Sequence, residues 1–491
     1  MESSKVRESN LLFRAGELAG LLGGVCRGNL DAPIYSVVTD SRAATDNSMF
    51  VALKGEQTDG HRYISEAIRN GARTILAEIA QKDVALASIR GLDEEEKARS
   101  VCFIFVDSPL AGLQRAACEY RRRHTLLRIG VTGSSGKTTT KECIAAIMAA
   151  CYPPETVAVS PGNLNSDIGL ALALFDIRPQ HTVGIFEMGI NRRGEMDELV
   201  RMYEPDIAVV TNIGNAHIGM FGSRDEIARE KSKIFSCFDG RQKALLWEND
   251  DYRAYLASKV KGSVAYFGTR STEGLGLLED LGLQGWRIEW KDQHIDFALA
   301  GRYNLLNACA ALSVANMLDL DPVKTAQGLS SVQPMFGRSE IRKGKITVLQ
   351  DYYNANPDSM EAAIEFFATI PSDNRKILVL GSMLELGEES VRAHEKVGLM
   401  AGAIEPSAIF LFGDEMAAAE SSLRARAFRG RLFWTKDMEE LSSAVLNYVQ
   451  EGDLILVKGS RGMALERLTC KFEEKKLIAP SESNQGGTHA S

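Results

Sequence analysis

RIGVTGSSGKTTTKECIAA, residues 128–146, sets an apolar run against three glycines in seven residues, then a lysine and three threonines. An apolar strand, a loop of small residues and an Ala-rich helical pattern, in that order, form the context in which a loop cradles phosphate. Gly133, Ser134, Ser135 and Gly136 are small enough for backbone N–H groups to approach phosphate oxygens, and the following helix start adds partial positive charge. Lys137 would reach the β- and γ-phosphates, Thr138 would ligate magnesium, and Thr139 continues the cradle. The strict pattern G-x-x-x-x-G-K-[ST] needs glycine at position 131, where Val131 stands; Gly130 is one residue early, so the cradle is a variant. The competing reading is a glycine turn before an Ala-rich helix with an exposed lysine.

Outward from the cradle, β-rich runs alternate with helical patterns: LLRIGVTG, TVAVS, HTVGIFEMG and DIAVVTNIG, each followed by a helix-length segment. Such alternation predicts an α/β fold with a mainly parallel sheet. WRIEWKDQHIDFALAG reads as an antiparallel hairpin before the helix RYNLLNACAALSVANML, closing a central P-loop domain over residues 126–333. Five further β-type runs, from KITVLQDYY to DLILVKGS, predict a second, Rossmann-like doubly wound sheet over residues 334–480. No G-x-G-x-x-G stands in either series, which disfavours a nicotinamide enzyme. Residues 1–125, with IYSVVTDSR and SMFVALKG as strands, form a smaller mixed α/β lobe, and 481–491 is small, polar and expected to be a disordered tail. Helix MEAAIEFF is expected to be capped by Asp358 or Ser359.

The chain of 491 residues is 45% apolar and 25% charged, an ordinary globular composition. With 57 Lys and Arg against 65 Asp and Glu, the net charge of -8 disfavours a nucleic acid partner but permits a local basic cleft. Eight scattered cysteines without zinc-site spacing suggest reduced thiols. The N-terminus lacks the apolar centre of a signal peptide, and no apolar run reaches the ~20 residues needed to span a bilayer. A cytoplasmic protein without membrane insertion is expected.

TGSSGKTT, followed in order by GNLNSDIG, EMGINRRGE, NAHIGMFG, AREKSKIF, GRYNLLNACAA, FGRSE and DYYNANPDSM, resembles the Mur ligase family. The likeness extends from DSRAATDNSMFVALKGEQTDGHRY at 40–63 to VKGSRGMALE at 457–466. It is strongest to the branch that joins D-alanyl-D-alanine to UDP-N-acetylmuramoyl-tripeptide. The resemblance implies three domains: a UDP-sugar-binding lobe, an ATP-binding centre and a C-terminal ligase domain. It also implies ATP and Mg2+ as cofactors, a monomer, and amide formation through an acyl phosphate. That chemistry brings two anions together, so positive charge must lie between them.

Glu187 ends an otherwise apolar strand beside the cradle, and His217 follows the next strand similarly; by resemblance both bind magnesium. Ile227, Lys231, Ile234 and Phe235 share the buried stripe of one helix. A lysine there needs a partner or must lose its charge. Lys231 matches the lysine that the family carbamylates into a metal-binding carboxylate, whereas Arg229 has no amine and Lys233 lies off the stripe. The resemblance places Asn307 at adenine, Arg338 on the γ-phosphate side and Asp351 at the ribose or Arg338, with Tyr353, Asn354 and Asn356 on the same edge. It assigns Asp40, Ser41, Arg42, Lys54, Asp59, Gly60 and His61 to the nucleotide sugar. Asn163, Asn165 and Asp167 go to the muramoyl-peptide side, and Lys458, Ser460 and Arg461 to the incoming dipeptide carboxylate. Departures from the family pattern are Tyr303 for His, Ser166 for a second Asn and Tyr352 for a small residue.

Two other readings share parts of this pattern. A ligase adding the third peptide residue would carry a D-N-P-R signature, which is absent, while NANPDSM and MLELGEE suit the dipeptide-adding branch. A non-enzymatic nucleotide-binding protein on a decayed fold would have lost Lys137, Glu187 or His217, and all three stand in the sequence.

Overall fold

The computed structural model describes residues 10–55, 58–89, 101–371 and 374–480. The tail 481–491 and the first nine residues of the N-terminus lie outside them. The central sheet has six parallel strands in the spatial order Ser263–Phe267, Lys243–Trp247, Ile207–Val210, Leu127–Thr132, Val183–Glu187 and Val157–Val159. Two of these, KALLW and SVAYF, were not among the predicted runs: the first is a buried apolar run without alternation, the second is half exposed at the sheet edge. Chain connections reverse on either side of Leu127–Thr132, which opens the crevice at the strands' carboxyl ends where ligands collect in such sheets.

The antiparallel hairpin is real, with Trp286–Trp290 paired to Gln293–Phe297, and a third strand, Leu275–Asp280, extends it. Its apolar face, including Trp286, Ile288 and Trp290, packs with helix Arg302–Met317 against one side of the central sheet. The C-terminal sheet runs Glu340–Lys343, Thr347–Asp351, Leu454–Lys458, Lys376–Gly381, Ala408–Phe412, Arg431–Thr435. Only its first pair is antiparallel, and Glu340–Lys343 is a sixth strand that sequence periodicity did not mark. The N-terminal lobe carries a five-stranded mixed sheet containing the expected Ser36–Val38 and Ser48–Val51.

Helix Pro357–Thr369 corrects one expectation: Asn356 is its cap, accepting from the Ser359 amide at 2.9 Å while Ser359 Oγ accepts from the Asn356 amide. Pro357 takes the first helical position, where a missing N–H costs nothing, so the helix starts three residues before Met360, the start of the expected MEAAIEFF. Asp358 is thereby freed for a contact described below. All eight cysteines are free thiols, and no helix among the described residues is long and apolar enough to cross a membrane.

Candidate active site

The cradle is built where the strand Leu127–Thr132 hands over to the helix Lys137–Cys151. Gly133 and Gly136 hold positive φ angles of 149° and 79°. A Cβ on Gly133 would lie 1.8 Å from Thr211 Oγ1 and one on Gly136 2.5 Å from Asn307 Oδ1, so neighbours as well as backbone conformation demand glycine. The next strand's end supports the loop: Thr211 Oγ1 donates to the Ser135 carbonyl at 2.6 Å, and Asn212 Oδ1 accepts from the Ser135 amide at 3.1 Å. Neither Thr211 nor Asn212 was singled out from sequence, although the polar break TN after the apolar IAVV was a readable signal.

Lys137 and Lys231 both donate to the Gly133 carbonyl, at 3.0 and 2.9 Å. Lys231 is buried on the predicted stripe with Ile227, Ile234 and Phe235, while Arg229 is exposed. Burial, reinforced by the Lys137 charge, pushes the Lys231 amine well below the usual lysine range. Burial also lowers Lys137; Arg338 acts in the same direction and Glu187 opposes it. Glu187 is buried, and its carboxylate accepts from Thr138 Oγ1 at 2.7 Å and from Asn165 Nδ2 at 2.6 Å. A threonine hydroxyl and a carboxylate side by side at a cradle are hard oxygen donors of the kind magnesium prefers.

A second lysine inside the fold escaped the sequence reading. Lys141, one turn beyond Lys137, is fully buried and donates to the carbonyls of Ser160 and Gly162 at 2.6 and 3.4 Å. Ser160 Oγ in turn accepts from the Glu187 amide. Lys141 thus fixes the loop that presents Asn165, and through Ser160 that loop braces the end of the strand carrying Glu187.

The cradle opens into a cavity of about 1240 Å³ whose far wall comes from the C-terminal sheet. Ser134, Ser135, Gly136, Lys137, Thr138, Thr139, Asn163, Asn165, Glu187, His217 and Asn307 line one side. Arg338, Asp351, Tyr353, Asn354, Asn356, Lys458, Ser460 and Arg461 line the other. Asn307 lies against the cradle, accepting from Thr140 Oγ1 at 3.1 Å. The Arg338 guanidinium stacks on Tyr353 at 3.8 Å from the ring centre. Asp351 and Lys458 are register partners on adjacent strands and form an ion pair at 2.5 Å; Asp351 Oδ1 also accepts from the Ser339 amide. Lys458 is buried in that pair, whereas Arg461 is exposed and bound to Glu466 at 2.6 Å.

Contacts across the cavity join the two walls. Asp358 accepts from the Asn215 amide and from Asn215 Nδ2, at 2.5 and 2.7 Å, and Asn356 Nδ2 donates to Ser135 Oγ at 3.1 Å. His217 Nδ1 stands 2.6 Å from Glu385 Oε2, in close approach but off the line of a hydrogen bond. Among the described residues no group of three or more His, Cys, Asp and Glu is placed to hold a metal. Of the expected metal set, Thr138 and Glu187 are in contact, Lys231 meets the cradle carbonyl, and His217 faces Glu385.

The three departures each have a structural partner. Tyr303 OH bonds Ser339 Oγ at 2.8 Å, tying the central helix to the C-terminal lobe. Ser166 caps helix Asp167–Leu174, and Tyr352 OH reaches Gln350 and Thr469. Asp167 is held by Arg192 at 2.8 Å.

None of the seven N-terminal positions lines this cavity. Asp40 pairs with Arg42 on the surface, and Ser41 donates to Glu66. His61 is buried with both ring nitrogens engaged: Nδ1 bonds Asp59 at 2.7 Å, and Nε2 accepts from the Glu78 amide at 3.1 Å. Lys54 forms a bridge with Asp59 beside Gly60.

A variant phosphate cradle facing a second doubly wound sheet across a charged cleft defines a P-loop α/β protein built for nucleotide-driven chemistry. Family models for the Mur ligase catalytic domain, the Mur ligase middle domain and the Mur ligase glutamate ligase domain match residues 33–121, 131–315 and 337–461. The UDP-N-acetylmuramoyl-tripeptide--D-alanyl-D-alanine ligase of Treponema pallidum is 38% identical over 87% of this chain and 92% of its own length. A crystal structure of MurF from Acinetobacter baumannii matches with TM-score 0.81 and 27% identity, covering 94% of this chain and 99% of that one. MurF from Thermotoga maritima, solved in complex with ADP, matches with TM-score 0.73 and 28% identity over 90% and 97%. The chain belongs to the ATP-dependent Mur ligase family.

Proposed function

We propose that the chain joins D-alanyl-D-alanine to the terminal carboxylate of UDP-N-acetylmuramoyl-tripeptide, consuming ATP, in peptidoglycan precursor synthesis. The observation that carries this reading is the Thr138–Glu187 contact beside Lys137, buried at the mouth of a cradle that faces Arg338 across the cavity. The likeness to ligases of that name supports the choice of substrates.

The tripeptide carboxylate oxygen attacks the γ-phosphorus, the bond to the β-γ bridging oxygen breaks, and ADP leaves. The amine of the dipeptide then attacks the carbonyl carbon of the acyl phosphate; phosphate departs and the amine loses its proton. Lys137 and Arg338 offset the repulsion between carboxylate and phosphate, and their charge counts for more in a site shielded from water. Thr138 and Glu187 are the oxygen donors that would hold magnesium, with His217 and, once carbamylated, Lys231 as further ligands; the ion would supply added positive charge at the phosphates. Lys231, buried and depressed, is suited to carbamylation: its neutral nitrogen attacks carbon dioxide, a proton leaves, and a carboxylate-like carbamate remains.

Residues 1–125 hold the UDP-sugar, 126–333 bind ATP and 334–480 receive the dipeptide, with Ser460 and Arg461 near its carboxylate. Asn163, Asn165 and Asp167 face the muramoyl peptide; Asn307, Tyr353, Asn354 and Asp351 frame the nucleoside. The protein works as a monomer in the cytoplasm.

Phosphate release by the purified protein tests the reading. Turnover is expected with UDP-muramoyl-tripeptide and D-alanyl-D-alanine; turnover only with UDP-muramoyl-dipeptide and a diamino acid overturns it. Removing carbon dioxide should lower the rate and bicarbonate should restore it, and an unchanged rate counts against carbamylation.

A further inference from the structure

MLELGEE, residues 383–389, contributes a carboxylate that the mechanism above does not use. Glu385 sits in the loop after strand Lys376–Gly381 and crosses to the central lobe, where its Oε2 lies 2.6 Å from His217 Nδ1. Its backbone joins the same contact, because the Glu385 carbonyl accepts from the Gly219 amide at 3.2 Å. Both His217 and Glu385 hold left-handed backbone conformations, with φ of 60° and 65°, which non-glycine residues keep only when their surroundings impose them. Two glycines make the approach possible: a Cβ on Gly219 would lie 2.5 Å from the Gly387 amide nitrogen. The contact is built from both sides.

We propose that Glu385 is a positioning residue that orients His217, so that docking of the C-terminal lobe completes the metal site of the central one. This rests on the reading of His217 as a metal ligand. A histidine that ligates through one ring nitrogen commonly gives the other to a carboxylate, which fixes the tautomer and aims the ring. Glu385 Oε2 lies 2.6 Å from Nδ1, so a small turn of the ring closes the hydrogen bond and leaves Nε2 for the cation; both residues line the cavity that holds the cradle. The carboxylate belongs to the lobe that also supplies Arg338. Nucleotide, metal and lobe position therefore become linked: the site for the cation is complete only when the lobe that contacts the phosphates has docked.

Manganese titration of the full chain in the presence of ADP, read by electron paramagnetic resonance, tests the proposal without depending on ligation. Glu385→Ala should weaken manganese binding about tenfold, the range that loss of such an outer carboxylate produces. The side chain is 60% exposed, so the melting temperature of the ligand-free protein should hardly move. Glu385→Asp should recover part of the affinity. In a His217→Ala background, Glu385→Ala should cause no additional loss. Unchanged affinity in Glu385→Ala, alongside weakened binding in His217→Ala, overturns this inference alone. Unchanged affinity in both variants overturns it together with the metal role of His217.

Discussion

Two sheet edges face each other across one cavity, and they treat charge in opposite ways. At the C-terminal edge the register of adjacent strands pairs Asp351 with Lys458, and the buried lysine is neutralised within the fold. At the central edge two lysines converge on one backbone carbonyl, while Glu187 accepts from an alcohol and an amide. Buried charges without matched partners are costly, and structures keep them where a ligand completes the arrangement. The first edge is a frame; the second is a receptor for anionic oxygen and a cation.

The sharpest way to break this contrast is to remove one charge from each edge. Lys137→Ala should lower the ligation rate by about 10²- to 10³-fold, the loss typical of a charge-stabilising donor, with little change in melting temperature. Asp351→Ala should do the reverse in emphasis: a stability loss of about 3 kcal/mol, because Lys458 is left buried and unpaired. The double variant with Lys458→Met should regain most of that loss in thermal unfolding. If Lys137→Ala unfolds the protein while Asp351→Ala leaves stability intact, the assignment of frame and receptor is reversed.

Smaller effects sharpen the picture. Asn356→Ala removes a helix cap and the contact to Ser135, and should lower stability by about 1 kcal/mol, measured as a reduced melting temperature. The smallest is a pH effect. Burial depresses His124, His181 and His394 below the ordinary 6.5, and His394 Nε2 accepts from the Met383 amide at the start of the loop that carries Glu385. Between 6.5 and the lower folded values the unfolded chain binds more protons, so stability falls as pH falls through that window. Melting temperature should decline from pH 7 to 5.5, and His394→Gln should flatten the decline; a rise on acidification contradicts the assignment.

Local signals made much of this legible in the sequence. The cradle was readable because glycine, lysine and threonine spacing is dictated by backbone approach to phosphate, and Lys231 because a charge on a helical stripe is conspicuous. The alternation of strands and helices exposed both doubly wound sheets. What stayed hidden depends on distance in sequence. Lys141 looks like any helical lysine until the loop at Ser160 folds over it, and Asp358 looks like a cap until Asn215 claims it. Ser263–Phe267 and Glu340–Lys343 were missed because edge strands carry weak periodicity, and Lys243–Trp247 because a short buried apolar run shows no alternation of its own. His61, expected at the sugar, has both nitrogens engaged by Asp59 and Glu78, a use of the ring that only the folded lobe reveals.

The most direct measurement is a crystal structure of the chain with a non-hydrolysable ATP analogue and manganese, whose anomalous signal locates the cation. The account predicts the triphosphate on the amides of residues 133–139, Lys137 turned from the Gly133 carbonyl toward the terminal phosphate, and manganese beside Thr138 and Glu187. A triphosphate bound elsewhere, with Lys137 still on Gly133 and no cation near Glu187, would contradict it.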